Sequence, residues 1–289
     1  MVTKHKTVLD MEQFNKSDIA GLIELSESVG WDYDEQEIGT VLSSGKVFGH
    51  KNTEGKIVSS AAIVPYDTRL ASIGMVIVNE EYRGLSLGKK VTQKCIDSVS
   101  KDTTVMLIAT EIGKPLYENM GFISVDYVHK FLCDNYVPSD CLNIKDVVIE
   151  EYNENDLSEI IKLDKDAFGD SRSHFLHNRI KQSEQCLVVK CTQGNIIGYG
   201  MSILGPSNLI LGPIVANDSE KAGMILDRLA KKHSGKLRID TPSGREDFIL
   251  FLECAGFIKV NTPPIMILNS DQMPKRNHTL FGIAAQIFG

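Results

Sequence analysis

Residues 14–25 read F-N-K-S-D-I-A-G-L-I-E-L, and residues 152–163 read Y-N-E-N-D-L-S-E-I-I-K-L. The aromatic, the Asn, the Asp and the apolar helix positions coincide when the two stretches are superposed, with Phe14 and Tyr152 standing 138 positions apart. Two later pairs follow in the same order. I-G-M-V-I-V, ending at Val78, matches L-G-P-I-V, ending at Val215, and G-F-I-S-V at Gly121 matches G-F-I-K-V at Gly256. Three ordered matches with a slowly drifting offset mark two copies of one fold in tandem. The expected division is residues 1–138 and 139–289.

Each copy carries the same coarse pattern. A short strand (Val8 to Gln13, Val147 to Glu151) precedes an Asx-rich turn and an amphipathic helix, whose apolar face in the first copy is Ile19, Leu22, Ile23 and Leu25. A second helix is expected near Asp34 to Ser43, then β-rich stretches at Lys46 to Lys51, Lys56 to Tyr66 and Ser72 to Val78. A helix from Leu87 to about Ser100, a strand at Thr104 to Thr110 and a short helix around Pro115 to Met120 follow, the last stopped by Gly121. A strand at Phe122 to Leu132 is expected to close the copy, with Asp134 to Asn143 as linker. The fold class is α/β, with α and β layers mixed around a mainly antiparallel sheet.

At 289 residues the chain has room for two ordinary cores, and its 42% apolar and 24% charged residues are those of a folded protein. A net charge of −7 argues against a nucleic-acid binder that works through a general positive field. Six scattered cysteines without a C-x-x-C pair read as reduced packing thiols. The first ten residues lack the apolar centre of a signal peptide, and no run approaches the roughly 18 apolar residues of a membrane span. A cytoplasmic protein without membrane contact is expected.

The chemistry concentrates after the strand ending at Val78, in N-E-E-Y-R-G-L-S-L-G-K-K (Asn79 to Lys90). Three residues separate Gly84 from Gly88, where a Walker A loop needs four followed by Lys-Ser/Thr, and no G-x-G-x-x-G is present. A strand running into R-G-x-x-x-G and a helix remains, a turn whose successive amides and helix N-terminus suit a pyrophosphate, with Arg83 and Lys89 adding charge. Tyr117, in P-L-Y-E-N-M-G-F, follows Arg83 by 34 positions.

Together, V-I-V-N-E-E-Y-R-G-L-S-L-G and P-L-Y-E-N-M-G-F resemble the GNAT acetyltransferase superfamily, whose acetyl-CoA loop has the form Q/R-x-x-G-x-G/A and whose later helix often carries L-Y-x-x-x-G-F. Arg83 and Gly88 fall on family positions, Gly84 fits the R-G variant, and Ser86 replaces the usual central glycine. The second copy has V-A-N-D-S-E-K-A-G in place of the loop, two residues shorter, and Leu252 at the Tyr117 position. The whole chain resembles tandem-GNAT proteins with a catalytic first half and a degenerate second half.

The resemblance implies an N-acetyltransferase that moves an acetyl group from acetyl-CoA to a primary amine of a small molecule, with no metal. A non-catalytic acetyl-CoA sensor and an enzyme acting on a protein amine stay open. It implies cofactor contacts at Val76, Ile77, Val78, Arg83, Gly84, Leu85, Ser86, Leu87, Gly88 and Lys89. Tyr117 is the expected general acid. Glu111 stands nearest the family position for the base, with Asp32 and Asp67 as alternatives. Trp31, Asp32 and Tyr66 are pocket candidates for the acceptor. His174 and His177 have a helical spacing that could suit a metal, but no third ligand is evident, and surface histidines on a helix are the expected reading. Nothing in the sequence specifies the oligomeric state.

Overall fold

The structure, a computed structural model, describes residues 9–139 and 146–289. The first half runs β1 (Met11–Phe14), α1 (Ile19–Glu27), α2 (Glu35–Ser44), β2 (Lys46–Lys51), β3 (Ile57–Pro65), β4 (Leu70–Val78), α3 (Leu87–Asp97), β5 (Thr104–Ile108), α4 (Lys114–Glu118) and β6 (Ile123–Cys133). The second runs β7 (Val147–Glu151), α5 (Leu157–Phe168), α6 (Ser173–Gln182), β8 (Gln185–Cys191), β9 (Ile196–Leu204), β10 (Leu209–Ala216), α7 (Ser219–Ala230), β11 (Leu237–Pro242), α8 (Glu246–Cys254), β12 (Ile258–Asn261), β13 (Pro264–Leu268) and β14 (Leu280–Gly282). The elements follow the expected order in the first copy; the second ends in an additional strand, β14, beyond the expected pattern. Val8, Cys141 and the end of the expected linker, residues 140–143, lie outside the described residues.

The repeated Asn and Asp have one local cause. In each copy the Asn caps a single 3-10 turn, and the Asp three residues on accepts from the Asn backbone N–H, at 2.9 Å for Asp18 and 3.0 Å for Asp156. Each Asp is nearly buried and is held by the lysine near the end of a neighbouring strand, Lys51–Asp18 at 2.8 Å and Lys190–Asp156 at 3.3 Å. The conspicuous sequence pattern is thus a helix start locked to the sheet.

The fourteen strands among the described residues join one sheet, in the order β1-β2-β3-β4-β5-β13-β6-β11-β10-β9-β8-β7, with β12 beside β6 and β14 beside β10. Among the described residues the parallel neighbours are β4–β5 and β10–β11, so the sheet is mainly antiparallel as expected. Alternation along β3 divides two cores: Ala62 and Val64 pack with α1, α2, α5 and α6, and Ala61 and Ile63 with α3 and α4. The first of these cores is shared by both halves. A third core packs under α7 and α8.

The structure corrects one expectation about architecture. The strand beginning at Phe122 does not close the first copy. Residues 123–127 of β6 pair with β13, and residues 128–133 run on into the second half, between β11 and β12. Reciprocally, β12 lies in the second half while β13, a few residues later, inserts between β5 and β6 of the first. The motifs G-F-I-S-V and G-F-I-K-V begin these two exchanged strands. Residues 134–139 pack on the second half rather than acting as a free linker: Tyr136 Oη donates to Asp227 at 2.9 Å and Val137 N to the Ala255 carbonyl at 3.0 Å.

Side chains tie the halves further. Asp170 accepts from Thr68 Oγ1 and from the amides of Arg69 and Leu70. The fully buried Arg179 donates to Glu37 of α2, to Gln182 and to the Ala284 carbonyl. Within the second half, the buried Arg172 guanidinium grips Asp164 through two bonds of 2.7 and 2.9 Å and donates to the Phe288 and Gly289 carbonyls. Breaking one partner of such a buried pair costs about 3–5 kcal/mol.

With β13 missing, β5 and β6 lose a shared neighbour whose Ile265, Met266 and Ile267 are at most 2% exposed. A fragment of residues 1–139 is therefore expected to be unfolded or aggregated, whereas the full chain unfolds in one cooperative transition. Circular dichroism during urea titration checks this, and a sharp native-like transition from the fragment would contradict it.

Candidate active site

The two parallel strand pairs separate after a short register. β4 pairs with β5 only from Leu70 to Ile73, and β10 pairs with β11 only at Leu209 and Ile210. In the first half the separation opens a cleft of about 640 Å³. A bulge in β4 starts the divergence: Ser60 faces Ile77 but Ala62 faces Gly74, and Met75 takes a left-handed φ of 51° with its carbonyl held by Ser60 Oγ at 2.8 Å. Beyond it, Asn79 N donates to the Val58 carbonyl. Strand alternation then turns the amides of Val78 and Val76 away from β3, toward the open side.

The corresponding separation in the second half is filled by the chain itself. β14 pairs with β10, Ile283 N donates to the Asp240 carbonyl on β11 at 2.9 Å, and a Cβ on Gly212 would lie 2.1 Å from the Ile283 carbonyl oxygen. The chain continues across the first half's bulge, where a Cβ on Gly74 would strike Ile287. Residues 285–287 then form part of the cleft wall.

The glycine loop lies at one end of the cleft, with Arg83 and Gly88 on its lining. Gly84 has φ 81° and Ser86 has φ 59°, so both occupy the left-handed region. This explains the pressure for glycine at the Ser86 position, where a serine carries a modest backbone cost. The amides from Gly84 to Lys89 have no hydrogen-bond partner among the described residues, and the first helical bond is Lys90 N to the Ser86 carbonyl. Arg83 is exposed and pairs with Glu80 at 3.0 Å. Leu85, Ser86 and Lys89 are exposed, and Leu87 is buried and anchors α3.

Tyr117 lines the cleft from α4, packed edge-on against Phe122 at 5.9 Å. Its ring is buried, and its hydroxyl has no hydrogen-bond partner among the described residues. Burial, with Cys95 nearby, raises its pKa well above that of a free phenol. The group is a protonated donor at neutral pH. Trp31 and Asp32 border the same cleft in the turn between α1 and α2, beside Tyr33.

Four other candidates fall elsewhere. Tyr66 does not line the cleft. It is 7% exposed, wedged against Phe168 and Phe175, and its hydroxyl donates to the Phe288 carbonyl. The end of its strand faces the core shared by the halves, so Tyr66 is a structural tie. Asp67 is likewise occupied, accepting from Ser171 Oγ and from the amide and hydroxyl of Ser173 at the start of α6. Glu111 is exposed and its side chain is not part of the cleft lining, although Thr110 and Ile112 are. His174 reaches the Ser43 carbonyl at 2.8 Å and joins α6 to α2.

Besides first-half residues such as Glu37 and Thr110, the lining outside the sequence candidates includes Lys130 of β6, Arg238 of β11, Asn261 and Gln286. A signal existed, since Lys130 and Arg238 are charges within strands, in Y-V-H-K-F-L and L-R-I-D-T.

Comparisons with known proteins agree with this geometry. Residues 31–131 and 160–282 each match a model of the acetyltransferase (GNAT) domain. The chain is 34% identical over 281 residues to the uncharacterized N-acetyltransferase YitH of Bacillus subtilis, covering 97% of this chain and 98% of that one. A Pyrococcus horikoshii structure assigned provisionally as an acetyltransferase superposes with a TM-score of 0.80 at 18% identity, covering 100% and 98% of the two chains. A tandem GNAT protein from the clavulanic acid biosynthesis pathway gives 0.64 at 11% identity, covering 90% and 98%. Likeness at these identities concerns fold, whereas the full-length YitH match and the paired domain models concern ancestry. The chain belongs to the GNAT acetyltransferase family, as an acyltransferase with two GNAT domains in tandem.

Proposed function

We propose that the protein transfers the acetyl group of acetyl-CoA directly to a primary amine of a small molecule, and that the first half carries the chemistry. The observation that carries this reading is the single cleft that gathers the opened β4, the glycine loop and the Tyr117 hydroxyl, while the matching separation in the second half is filled by β14. The unpartnered amides at the start of α3, with Arg83 beside them, suit the pyrophosphate of CoA. The amides of Val76 and Val78 are oriented for the pantetheine chain and the thioester carbonyl oxygen.

In the reaction the amine nitrogen attacks the thioester carbonyl, the C–N bond forms, the C–S bond breaks, and the amine gives up a proton. An outward amide of β4 stabilises the developing oxyanion. Tyr117 donates its proton to the departing thiolate, a role suited to a phenol that burial keeps protonated. Of the carboxylates considered as base, Asp32 lines the cleft, and it has no hydrogen-bond or ion-pair partner among the described residues. We assign it, directly or through water, to the amine's proton. A reducing compartment suits the five described cysteines, all free thiols. Among the described residues no helix is long and apolar enough to cross a membrane.

A Cβ on Gly88 would sit in ordinary contact, 3.4 Å from Leu116 and 3.5 Å from Val78, so the backbone accepts a side chain there but the loop mouth does not. Gly88→Trp is expected to keep its circular dichroism spectrum and lose acetyl-CoA binding by calorimetry; retained affinity refutes the loop as the site. Tyr117→Phe is expected to lower kcat about 100-fold while acetyl-CoA affinity stays within a few-fold. Unchanged kcat in stopped-flow thiol release would reduce Tyr117 to a packing residue.

A further inference from the structure

The acceptor side of the cleft has an uneven charge inventory. Lys130 lies directly opposite Asp240 on neighbouring strands, and Arg238 is two residues from Asp240 on β11, so the three share one face of the sheet. Asp240, 2% exposed, is engaged through both oxygens: it accepts from Arg238 Nε at 2.7 Å and from Gln286 Nε2 at 2.8 Å. These bonds fix the guanidinium but leave its two terminal nitrogens without a partner among the described residues. Lys130, half-buried, makes no hydrogen bond or ion pair there. Glu37, also on the lining, is taken by Arg179 and Gln182. Two cations therefore face the cleft around one engaged carboxylate, and Asp32 is the uncommitted acid nearby.

We infer that the acceptor is a zwitterionic amine of the amino-acid type, its carboxylate held by Arg238 and Lys130 and its amine presented on the Asp32 side. This rests on the acetyltransferase reading above and names the substrate class for that site. Two amine-repelling cations would be a defect in a pocket for a plain amine. With a carboxylate between them, they form charge-assisted hydrogen bonds in a partly water-excluded place. Burial and the neighbouring Arg238 already push the Lys130 pKa down, against the opposing pull of Asp240 and Asp32. A bound anion offsets the Arg238 repulsion and favours the charged form of Lys130. Neither cation belongs to the sheet of the first half alone: Lys130 sits on the exchanged part of β6 and Arg238 on β11. Thus the second half, whose own crevice is filled, supplies recognition to the first.

The test uses the full-length protein, acetyl-CoA and matched acceptors: phenylalanine against phenethylamine, lysine against cadaverine, and alanine against ethylamine, followed by thiol release. The carboxylate-bearing member is expected to have the higher kcat/KM, by about 10- to 100-fold, in at least one pair. Lys130→Met breaks no bond among the described residues and should erase most of that preference while leaving acetyl-CoA affinity unchanged. Arg238→Lys, which keeps a cation beside Asp240, should raise KM for the carboxylate-bearing acceptor. Equal or reversed preference, no release with any carboxylate-bearing member, or a preference untouched by Lys130→Met overturns the inference. Wild-type protein that fails to bind acetyl-CoA would instead sink the acetyltransferase reading beneath it.

Discussion

The reciprocal insertion of β13 between β5 and β6, and of the far end of β6 between β11 and β12, is the constraint on which the rest of the molecule depends. It places a strand from each half in the middle of the other's hydrogen-bond ladder. Removing it would expose a row of unpaired backbone groups on both sides. Two domains joined merely by a linker could drift. Here the sheet is continuous from β1 to β7, and the core under α1, α2, α5 and α6 is built from both halves. The continuity brings Lys130 and Arg238 within reach of a cleft that opens in the first half.

The C-terminal segment extends the same logic. It fills the second half's strand separation with β14, passes Gly212 and Gly74 at close range, and ends against Arg172 and Tyr66. Occupying one separation and walling the other makes the halves chemically unequal although their scaffolds repeat. The missing glycine loop of the second half fits this division, because β14 occupies the strand separation there.

Much of this was legible in the sequence wherever the cause was local. The Asn–Asp capping boxes carried the repeat, and strand, glycine turn and helix carried the loop. Tyr117 was marked by its own short helix, and Trp31 and Asp32 by the turn between two helices. What stayed hidden depended on partners far along the chain. G-F-I-S-V and G-F-I-K-V have the same pattern whether each strand closes its own half or crosses to the other, so pairing could not be read from them. Tyr66 looked like a pocket residue at a strand end because its partner, the Phe288 carbonyl, is more than two hundred positions away. Asp67 looked free for the same reason until α6 of the other half supplied two serines.

On the proposed reading, one crevice among the described residues, the cleft of the first half, takes the cofactor. Isothermal titration of the purified full-length protein with acetyl-CoA tests that claim most directly. One acetyl-CoA per chain is the expected stoichiometry; a stoichiometry of two, with both halves binding, would contradict the assignment of the cofactor to the first half.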